Sequence, residues 1–272
     1  MPHKAFRFGV VAGAAEGGAK WLATARRAEE LGYSTLLCSD DLNRPTPTAA
    51  LAAAAAATTG LRVGSFVLSG PLRTPRSAAW EAHSLAVVTG GRFELGLGTG
   101  RPGSRQQAEE LGLPYGSGQE RLDSISETVD HVRRLDGDAH TPVMIAAGGP
   151  KARHLAGAKA DIVALAGSPL TTREEMAQYV GEIRAAAGAR DVELALHIWV
   201  FGEQVPPWIS QSTGFDTETL AEHDSLAMLR GSVDDMAAEL ERRREELGVS
   251  YVSVDGAFIE EFAPLVDRLS GK

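Results

Sequence analysis

Residues 143–168 read VMIAAGGPKARHLAGAKADIVALAGS, and this stretch contains the unit from which the whole chain is built. An apolar strand candidate, Val143–Ala147, ends in two consecutive glycines. Pro150 then stands where a helix begins, because proline is well tolerated in the first helical turn. A second apolar run, Asp161–Ala166, follows the helical segment. A strand, a helix and a second strand in this order are typical of a parallel βαβ unit.

The same alternation of short apolar runs and helical patterns extends over the rest of the chain. Because the apolar runs are almost continuous, we expect both faces of each strand to be covered, as they are in parallel sheets. Eight such units without a break in composition favour a closed (β/α)8 TIM barrel over an open doubly wound sheet. We expect one domain over residues 1–272. The predicted strands are Phe6–Ala12, Ser34–Ser39, Arg62–Leu68, Phe93–Leu97, Val143–Ala147, Asp161–Ala166, Val192–Val200 and Val249–Val254.

Several helices have recognisable starts and ends in the sequence. Thr74-Pro75 predicts an N-cap followed by a proline in the first turn, and Ser232 predicts another helix start. Residues 171–174 begin with threonine and end with glutamate, the spacing of a capping box. Gly32 and Gly248 each follow a helical pattern and precede a strand, the position where a left-handed residue is needed.

Composition excludes several classes of function. The chain has 272 residues and a formal net charge of −9, which argues against nucleic-acid binding and against docking on anionic lipid. No apolar run reaches the roughly 20 residues of a membrane span. The single cysteine, Cys38, excludes an internal disulfide and a multi-cysteine metal site, so we expect a cytoplasmic protein that acts on a small molecule.

Small or polar residues follow most of the predicted strands. In a βα barrel the carboxyl ends of the strands line one rim, where active sites are built. The two longest strand-to-helix excursions, residues 98–118 and 201–231, belong to the same rim. One glycine after a strand indicates only a turn, but six small or polar ends together predict a binding rim. These ends are Ser39-Asp40-Asp41, Ser69-Gly70, Gly98-Thr99-Gly100, Gly148-Gly149-Pro150, Gly167-Ser168 and Asp255-Gly256.

The turn at residues 147–151 predicts an anion site. Helix N-termini attract anions through their free N–H groups and the helix dipole. Lys151 and Arg153 add positive charge in an otherwise acidic protein. A phosphate-bearing cofactor fits this pattern, and an ordinary helix start is the alternative. By contrast, Gly96-Leu97-Gly98-Thr99-Gly100 lacks the G-x-G-x-x-G spacing of a dinucleotide fingerprint.

Few side chains qualify for proton transfer or metal binding. Asp40 and Asp41 could supply a general base, a metal ligand or a partner for a ring nitrogen. Adjacent residues point to different sides, so we expect at most one of them to face the pocket. His197 lies inside a predicted strand and faces either the barrel interior or the helices, a hydrogen-bonded core histidine being the favoured interpretation. The seven histidines form no cluster with metal-ligand spacing, so we predict no metal site.

Taken in order, several segments resemble the luciferase-like monooxygenase superfamily, especially its members that use the deazaflavin coenzyme F420. Each segment alone is a weak motif, whereas their order along nearly the whole chain is specific. The segments are Phe6–Val10, Ala28–Leu36, Leu61–Leu68, Gly90–Gly98, Gly148-Gly149, Gly231–Val233 and Leu247–Tyr251.

The resemblance implies where a flavin or deazaflavin would bind. It implies a non-prolyl cis peptide between Phe66 and Val67 in the third strand, with the bulge backing the central ring. The loop from Thr99 to Arg101 would lie beside the ring, and the two glycines 148 and 149 would bind phosphate. The residues expected to contact the cofactor are Asp40, Phe66, Val67, Leu68, Thr99, Gly100, Arg101, Ala147, Gly148, Gly149, Pro150 and Ser168.

The chain departs from the family pattern at two places. Relatives commonly carry a histidine where this chain has Asp41, and they carry a long excursion where this chain has only residues 135–141. The first departure affects proton transfer by the candidate catalytic residues Asp40 and Asp41, and the second implies a more open substrate mouth. The expected function is hydride transfer between reduced F420 and an activated C=C or C=N bond. The alternatives are an FMN-dependent monooxygenase and a non-catalytic binding barrel, and the family also implies a homodimer.

Overall fold

The computed structural model describes residues 4–101, 103–203 and 215–272. Nine of its strands form one parallel sheet, and two short strands pair separately. The strands are β1 (Arg7–Ala12), β2 (Thr35–Cys38), β3 (Arg62–Ser65), β4 (Leu68–Ser69), β5 (Phe93–Gly98), β6 (Val143–Ala147), β7 (Ile162–Leu165), β8 (Glu193–Ile198), β9 (Val200–Phe201), β10 (Met228–Leu229) and β11 (Val249–Asp255).

The sheet closes into an eight-membered parallel barrel, as predicted. Its order is β3-β2-β1-β11-β8-β7-β6-β5-β4, and a further pairing of β3 with β5 completes the ring. β3 and β4 together occupy one barrel position, because both pair with β5. The first and last barrel strands also meet, with Arg7 opposite Tyr251 and Val10 opposite Val254. The (β/α)8 TIM barrel is therefore confirmed, and the open sheet is excluded.

The third predicted strand is interrupted at its centre. Phe66 and Val67 are joined by a cis peptide bond, and they lie between β3 and β4. This confirms the cis bond at the position that the resemblance implied. The single strand expected over Arg62–Leu68 is therefore two shorter strands.

Helices follow the barrel strands and cover their outer faces. Thr74 and Ser232 cap their helices as predicted, each accepting a hydrogen bond from a backbone N–H three residues on. The capping box predicted at Thr171 lies one residue later, at Thr172 and Glu175. The helices are α1 (Gly18–Glu30), α2 (Pro47–Ala56), α3 (Pro75–Val88), α4 (Ser104–Glu110), α5 (Gly118–Asp136), α6 (Pro150–Lys159), α7 (Arg173–Ala187), α8 (Thr217–Glu222), α9 (Val233–Leu247) and α10 (Ala263–Leu269).

The barrel interior is apolar in the middle and charged at the end where the strands begin. Leu37, Met144 and Tyr251 belong to the buried interior cluster. Below them, the carboxylate of Glu94 accepts hydrogen bonds from Arg7 and Arg62, both at 2.7 Å. Charges at the amino-terminal end of a barrel usually serve stability, because active sites lie at the other end.

The segment after β8 forms a small sheet that the sequence did not predict. The strand expected over Val192–Val200 ends at Ile198, and β9 then pairs in parallel with β10 outside the barrel. Arg243 supports this sheet, because its buried guanidinium donates to the backbone oxygens of Leu226 and Met228.

Residues 204–214 of the predicted excursion 201–231 lie outside the described residues. No helix of the described chain is long and apolar enough to cross a membrane.

Candidate functional site

A cavity of about 1060 Å³ opens at the carboxyl ends of the barrel strands. Its volume is slightly above the roughly 300–1,000 Å³ that is typical of small-molecule sites. Asp40, Gly98, Gly148 and Asp255, which follow or end four different strands, all line it. The prediction that the small and polar strand ends meet at one rim is therefore confirmed for these four ends and for Ser69 at the end of β4, whereas Gly167 and Ser168 do not line the cavity.

Most of the predicted cofactor contacts lie in this cavity, and some do not. Leu68 and Ala147 are buried in the hydrophobic core, and Pro150 begins α6 behind the turn. Ser168 accepts a hydrogen bond from the backbone N–H of Leu170. These four residues and Asp41 are not among the lining residues. The predicted residues that do line the cavity are Asp40, Phe66, Val67, Thr99, Gly100, Arg101, Gly148 and Gly149.

Two of the lining glycines are required by packing between strands. A Cβ at Gly98 would lie 2.6 Å from Cγ2 of Val67, and a Cβ at Gly148 would lie 2.7 Å from the backbone oxygen of Ala166. Real Cβ atoms do not approach other atoms so closely. These glycines therefore let the Phe66–Val67 bulge and the neighbouring strands approach one another.

Gly149 differs, because a side chain at this position would enter open space. No heavy atom lies within 4 Å of an ideal Cβ on Gly149, and the residue lines the cavity directly before the N-terminus of α6. Its backbone angles, φ −89° and ψ 161°, are accessible to any residue. The open space and the free N–H groups at this helix start fit a phosphate group.

The carboxylate of Asp40 lines the cavity but is occupied by protein partners. Arg73 Nη1 donates to Oδ2 at 2.7 Å and Nη2 to Oδ1 at 3.2 Å, and the backbone N–H of Ser69 donates to Oδ2 at 2.8 Å. Both members of the Asp40–Arg73 pair are largely buried. Asp40 thus ties the end of β2 to the segment just after the cis peptide.

Asp41 turns away from the cavity, so the expectation that at most one of the two aspartates faces it is confirmed. Its carboxylate accepts hydrogen bonds from Asn43 and Gln107 and forms an ion pair of 3.0 Å with Arg101. Burial opposes ionisation here, but the hydrogen bonds from Asn43 and the charge of Arg101 outweigh it and lower the pKa of Asp41.

Of the three residues expected to supply positive charge at the mouth, Arg101 lines the cavity, whereas Lys151 and Arg153 do not. Arg153 is buried, stacks on Tyr179 and donates to Glu182 and to the backbone oxygen of Gly148. The interpretation of Arg153 as a mouth charge is wrong, because its side chain turns toward α7 and fixes the phosphate turn from behind. The cations that line the cavity are Lys20, Arg44 and Arg101.

His197 lines the cavity. The sequence alone did not decide whether this side chain faces the barrel interior or the helices. The residue faces the barrel interior, and its Nδ1 lies 3.0 Å from Oγ of Ser253 on the neighbouring strand β11. Its ring centroid is 5.5 Å from that of Phe66 and 6.0 Å from that of Trp199. Burial lowers the pKa of His197 to about 4, against a smaller opposing contribution from the main chain of Ser253. The imidazole is therefore neutral at physiological pH.

Sequence reasoning missed the wall that the β1–α1 connection contributes. Trp21 of α1 lines the cavity, as do Glu16 and Lys20, which form an ion pair of 2.6 Å. The signal was the glycine-rich segment that follows β1, which resembles the other strand ends.

Asp255, at the end of β11, also lines the cavity. It accepts a hydrogen bond from the backbone N–H of Ala257, and burial raises the pKa of its carboxyl.

A family comparison agrees with this geometry. Residues 5–203, well over half of the chain, match the sequence model of the luciferase-like monooxygenase family. The chain belongs to this family. Among curated members it is 26% identical over 266 residues to the F420-dependent glucose-6-phosphate dehydrogenase of Beutenbergia cavernae, covering 86% of this chain and 70% of that protein. The matched regions span between 46% and 70% of the curated relatives' own lengths.

Several solved structures share the fold of this chain. The coenzyme F420-dependent tetrahydromethanopterin reductase of Methanopyrus kandleri superposes with a TM-score of 0.75 at 18% identity, covering 98% of each chain. The oxygenating constituent of 3,6-diketocamphane monooxygenase of Pseudomonas putida, in complex with FMN, superposes with a TM-score of 0.71 at 14% identity, covering 97% and 95%. The same barrel therefore occurs both in an F420-dependent enzyme and in an FMN complex.

Proposed function

We propose that this chain is an F420-dependent oxidoreductase acting on an activated C=C or C=N bond of a small organic substrate. The observation that carries the proposal is the shared cavity: the cis bulge at Phe66–Val67 and the open phosphate turn at Gly149 line the same space. The names of the curated relatives support the choice of F420. When bound, reduced F420 supplies a hydride, and the protein has to bind, orient and shield it.

The described residues offer a fitting environment for such a cofactor. Phe66 and Val67 would back the ring, and the turn before α6 would take the phosphate. Arg44 and Arg101 are exposed cations at the mouth, where the carboxylate-bearing tail of F420 would emerge. The contact between Arg153 and the backbone oxygen of Gly148 holds the phosphate turn in place.

The protein's own groups keep the site ordered and dry. Phe66, Val67, Trp21 and Trp199 give the cavity apolar walls, which exclude water around the reacting atoms. Asp40 acts as a positioning residue in this proposal, because its carboxylate is held by Arg73 and in turn holds the backbone beside the bulge. Asp41 contributes through its ion pair with Arg101 rather than as a proton carrier.

Two other functions remain as outcomes of the test. An FMN-dependent monooxygenase has support from the FMN complex that shares this fold. A non-catalytic barrel would bind neither cofactor. The proposal also takes residues 1–272 as one domain, because β1 and β11 pair in the barrel. Three further expectations stay predictions: that the protein acts in the cytoplasm, that it forms a homodimer and that it binds no nucleic acid. Analytical sedimentation can test the homodimer.

The direct test is a single-turnover assay under exclusion of oxygen. Purified protein is loaded with reduced F420, mixed with cyclohex-2-en-1-one as an activated alkene, and followed by the return of the absorbance of oxidised F420. The proposal expects re-oxidation that depends on both protein and alkene. Re-oxidation only after oxygen is admitted to an FMN-loaded sample would instead favour the monooxygenase.

A further inference from the structure

The histidine on the cavity floor has a fixed position but an unused nitrogen. His197 lies on β8 directly opposite Ser253 of β11, and its ring packs beside Phe66. Nδ1 is engaged by Ser253 Oγ at 3.0 Å. Within residues 4–101, 103–203 and 215–272, Nε2 has no hydrogen-bond partner. Since the ring lines the cavity, Nε2 is the nitrogen that a ligand can reach.

The contact with Ser253 selects a tautomer. Ser253 is 3% exposed, and His197 is the only hydrogen-bond partner of its hydroxyl within the described residues. A buried hydroxyl that cannot donate its proton loses free energy, so Ser253 O–H is expected to donate to Nδ1. A neutral imidazole that accepts at Nδ1 carries its proton on Nε2. The competing arrangement, with Nδ1–H directed to the main chain of Ser253, would leave the hydroxyl without an acceptor.

The carboxylates that line the cavity are already bound to protein partners. The carboxylate of Asp40 is held by Arg73, and Glu16 pairs with Lys20. Asp255 accepts from the backbone of the turn that follows it. The neutral side-chain donors that the described residues leave for a ligand include Nε2 of His197 and the hydroxyl of Thr99 in the loop after β5, and the ring of His197 packs beside Phe66 of the bulge.

We propose that His197 is held as the Nε2–H tautomer by Ser253 and donates a hydrogen bond to a carbonyl oxygen or imine nitrogen of the ligand bound against Phe66. The acceptor belongs either to the activated substrate or to the cofactor ring. Its chemistry is the same in both cases, a neutral acceptor next to an unsaturated carbon. This inference rests on the proposed function for the identity of the ligand, but the tautomer does not.

The first measurement needs no ligand. Protein labelled with ¹⁵N at histidine is examined by NMR at neutral pH, with His197→Gln used to assign the signals. We expect a neutral ring that is protonated at Nε2. An Nδ1–H tautomer or an imidazolium at neutral pH would overturn the proposal, whether or not any cofactor binds.

The second measurement separates the two sources of the acceptor. Oxidised F420 and cyclohex-2-en-1-one are added in turn, and the Nε2 signal of His197 is followed. A shift on F420 addition assigns the acceptor to the cofactor, and a shift only on alkene addition assigns it to the substrate. F420 binding with an unchanged Nε2 signal after both additions would refute the proposal. Absence of F420 binding would instead contradict the proposed function.

Variants provide a readout of the donated bond itself. His197→Phe keeps a ring beside Phe66 but removes the hydrogen-bond donor. This variant should raise the dissociation constant of the ligand that carries the acceptor about tenfold. His197→Gln restores an N–H donor and should recover most of that loss. His223→Gln, at an exposed histidine after α8, is the matched control and should behave as wild type. Equal affinity of the Phe and Gln variants would show that no hydrogen bond is donated.

Discussion

The most informative perturbation of the cofactor site is Gly149→Val. In the folded protein the valine Cβ would meet no heavy atom within 4 Å, and φ −89° with ψ 161° is comfortable for a β-branched residue. The substitution should therefore leave the free energy of unfolding within about 0.5 kcal/mol of wild type, or raise it slightly through the less flexible unfolded chain.

The effect on cofactor binding should be much larger. The valine side chain would occupy the open space before the N-terminus of α6, where the phosphate is proposed to accept hydrogen bonds from backbone N–H groups. A hydrogen bond to a charged group contributes about 1.5–3 kcal/mol. Losing one such bond corresponds to roughly a tenfold to hundredfold rise in the dissociation constant, since about 1.4 kcal/mol is tenfold.

The assay is a fluorescence titration of each variant with F420, paired with urea unfolding. Gly181→Val is the matched control, because Gly181 is exposed on α7, has no atom within 4 Å of its ideal Cβ, and lies outside the cavity lining. Gly181→Val should bind F420 normally. A folded Gly149→Val protein with wild-type affinity would place the phosphate elsewhere.

Three further perturbations address the charges of the molecule. Glu94→Gln should lower the free energy of unfolding by at most about 3 kcal/mol in urea titrations, because Arg7 and Arg62 lose the buried carboxylate that they share while Arg7 keeps its ion pair with Glu193. The affinity for F420, which binds at the far end of the barrel, should not change. Burial opposes ionisation of Glu239, but its ion pairs with Arg173 and Arg243 outweigh burial and lower its pKa from the ordinary 4.5 to about 2 in the folded protein. The ionised carboxylate therefore stabilises the fold fully above pH 4.5, and this stabilisation is lost as the pH falls from 4.5 to 2. Thermal unfolding of Glu239→Gln should show this acid loss diminished, with a neutral-pH deficit of at most roughly 3 kcal/mol; an unchanged acid profile would contradict it. Added salt should weaken F420 binding more than FMN binding, because it screens the exposed charges of Arg44 and Arg101. If the dissociation constants of both cofactors depended equally on salt, these two residues would not contribute to F420 binding.

The barrel was predictable because its signal is repeated eight times. Each strand is a short apolar run and each helix start has local chemistry, so an error in one unit does not change the fold. The cis bond at Phe66–Val67 came from the family resemblance, since no local pattern of residues predicts it. The capping box was misplaced by one residue because Thr171-Thr172-Arg173-Glu174-Glu175 contains the same spacing twice.

The site was harder to predict because it depends on where side chains point. Sequence gives Arg153 a position near the phosphate turn, but only packing shows that it stacks on Tyr179 away from the mouth. His197 did carry a signal. Leu196 and Ile198 on either side of it are buried among the core residues, so alternation along the strand turns His197 the other way, toward the interior.

The central claim is tested most directly by titrating the purified protein with F420 and, separately, with FMN at low salt. Fluorescence of the deazaflavin and of the flavin reports each dissociation constant. The account predicts saturable binding of F420 at the cavity, tighter than that of FMN and weakened by Gly149→Val. Tighter binding of FMN with oxygen consumption on reduction, or binding of neither cofactor by the folded protein, would contradict it.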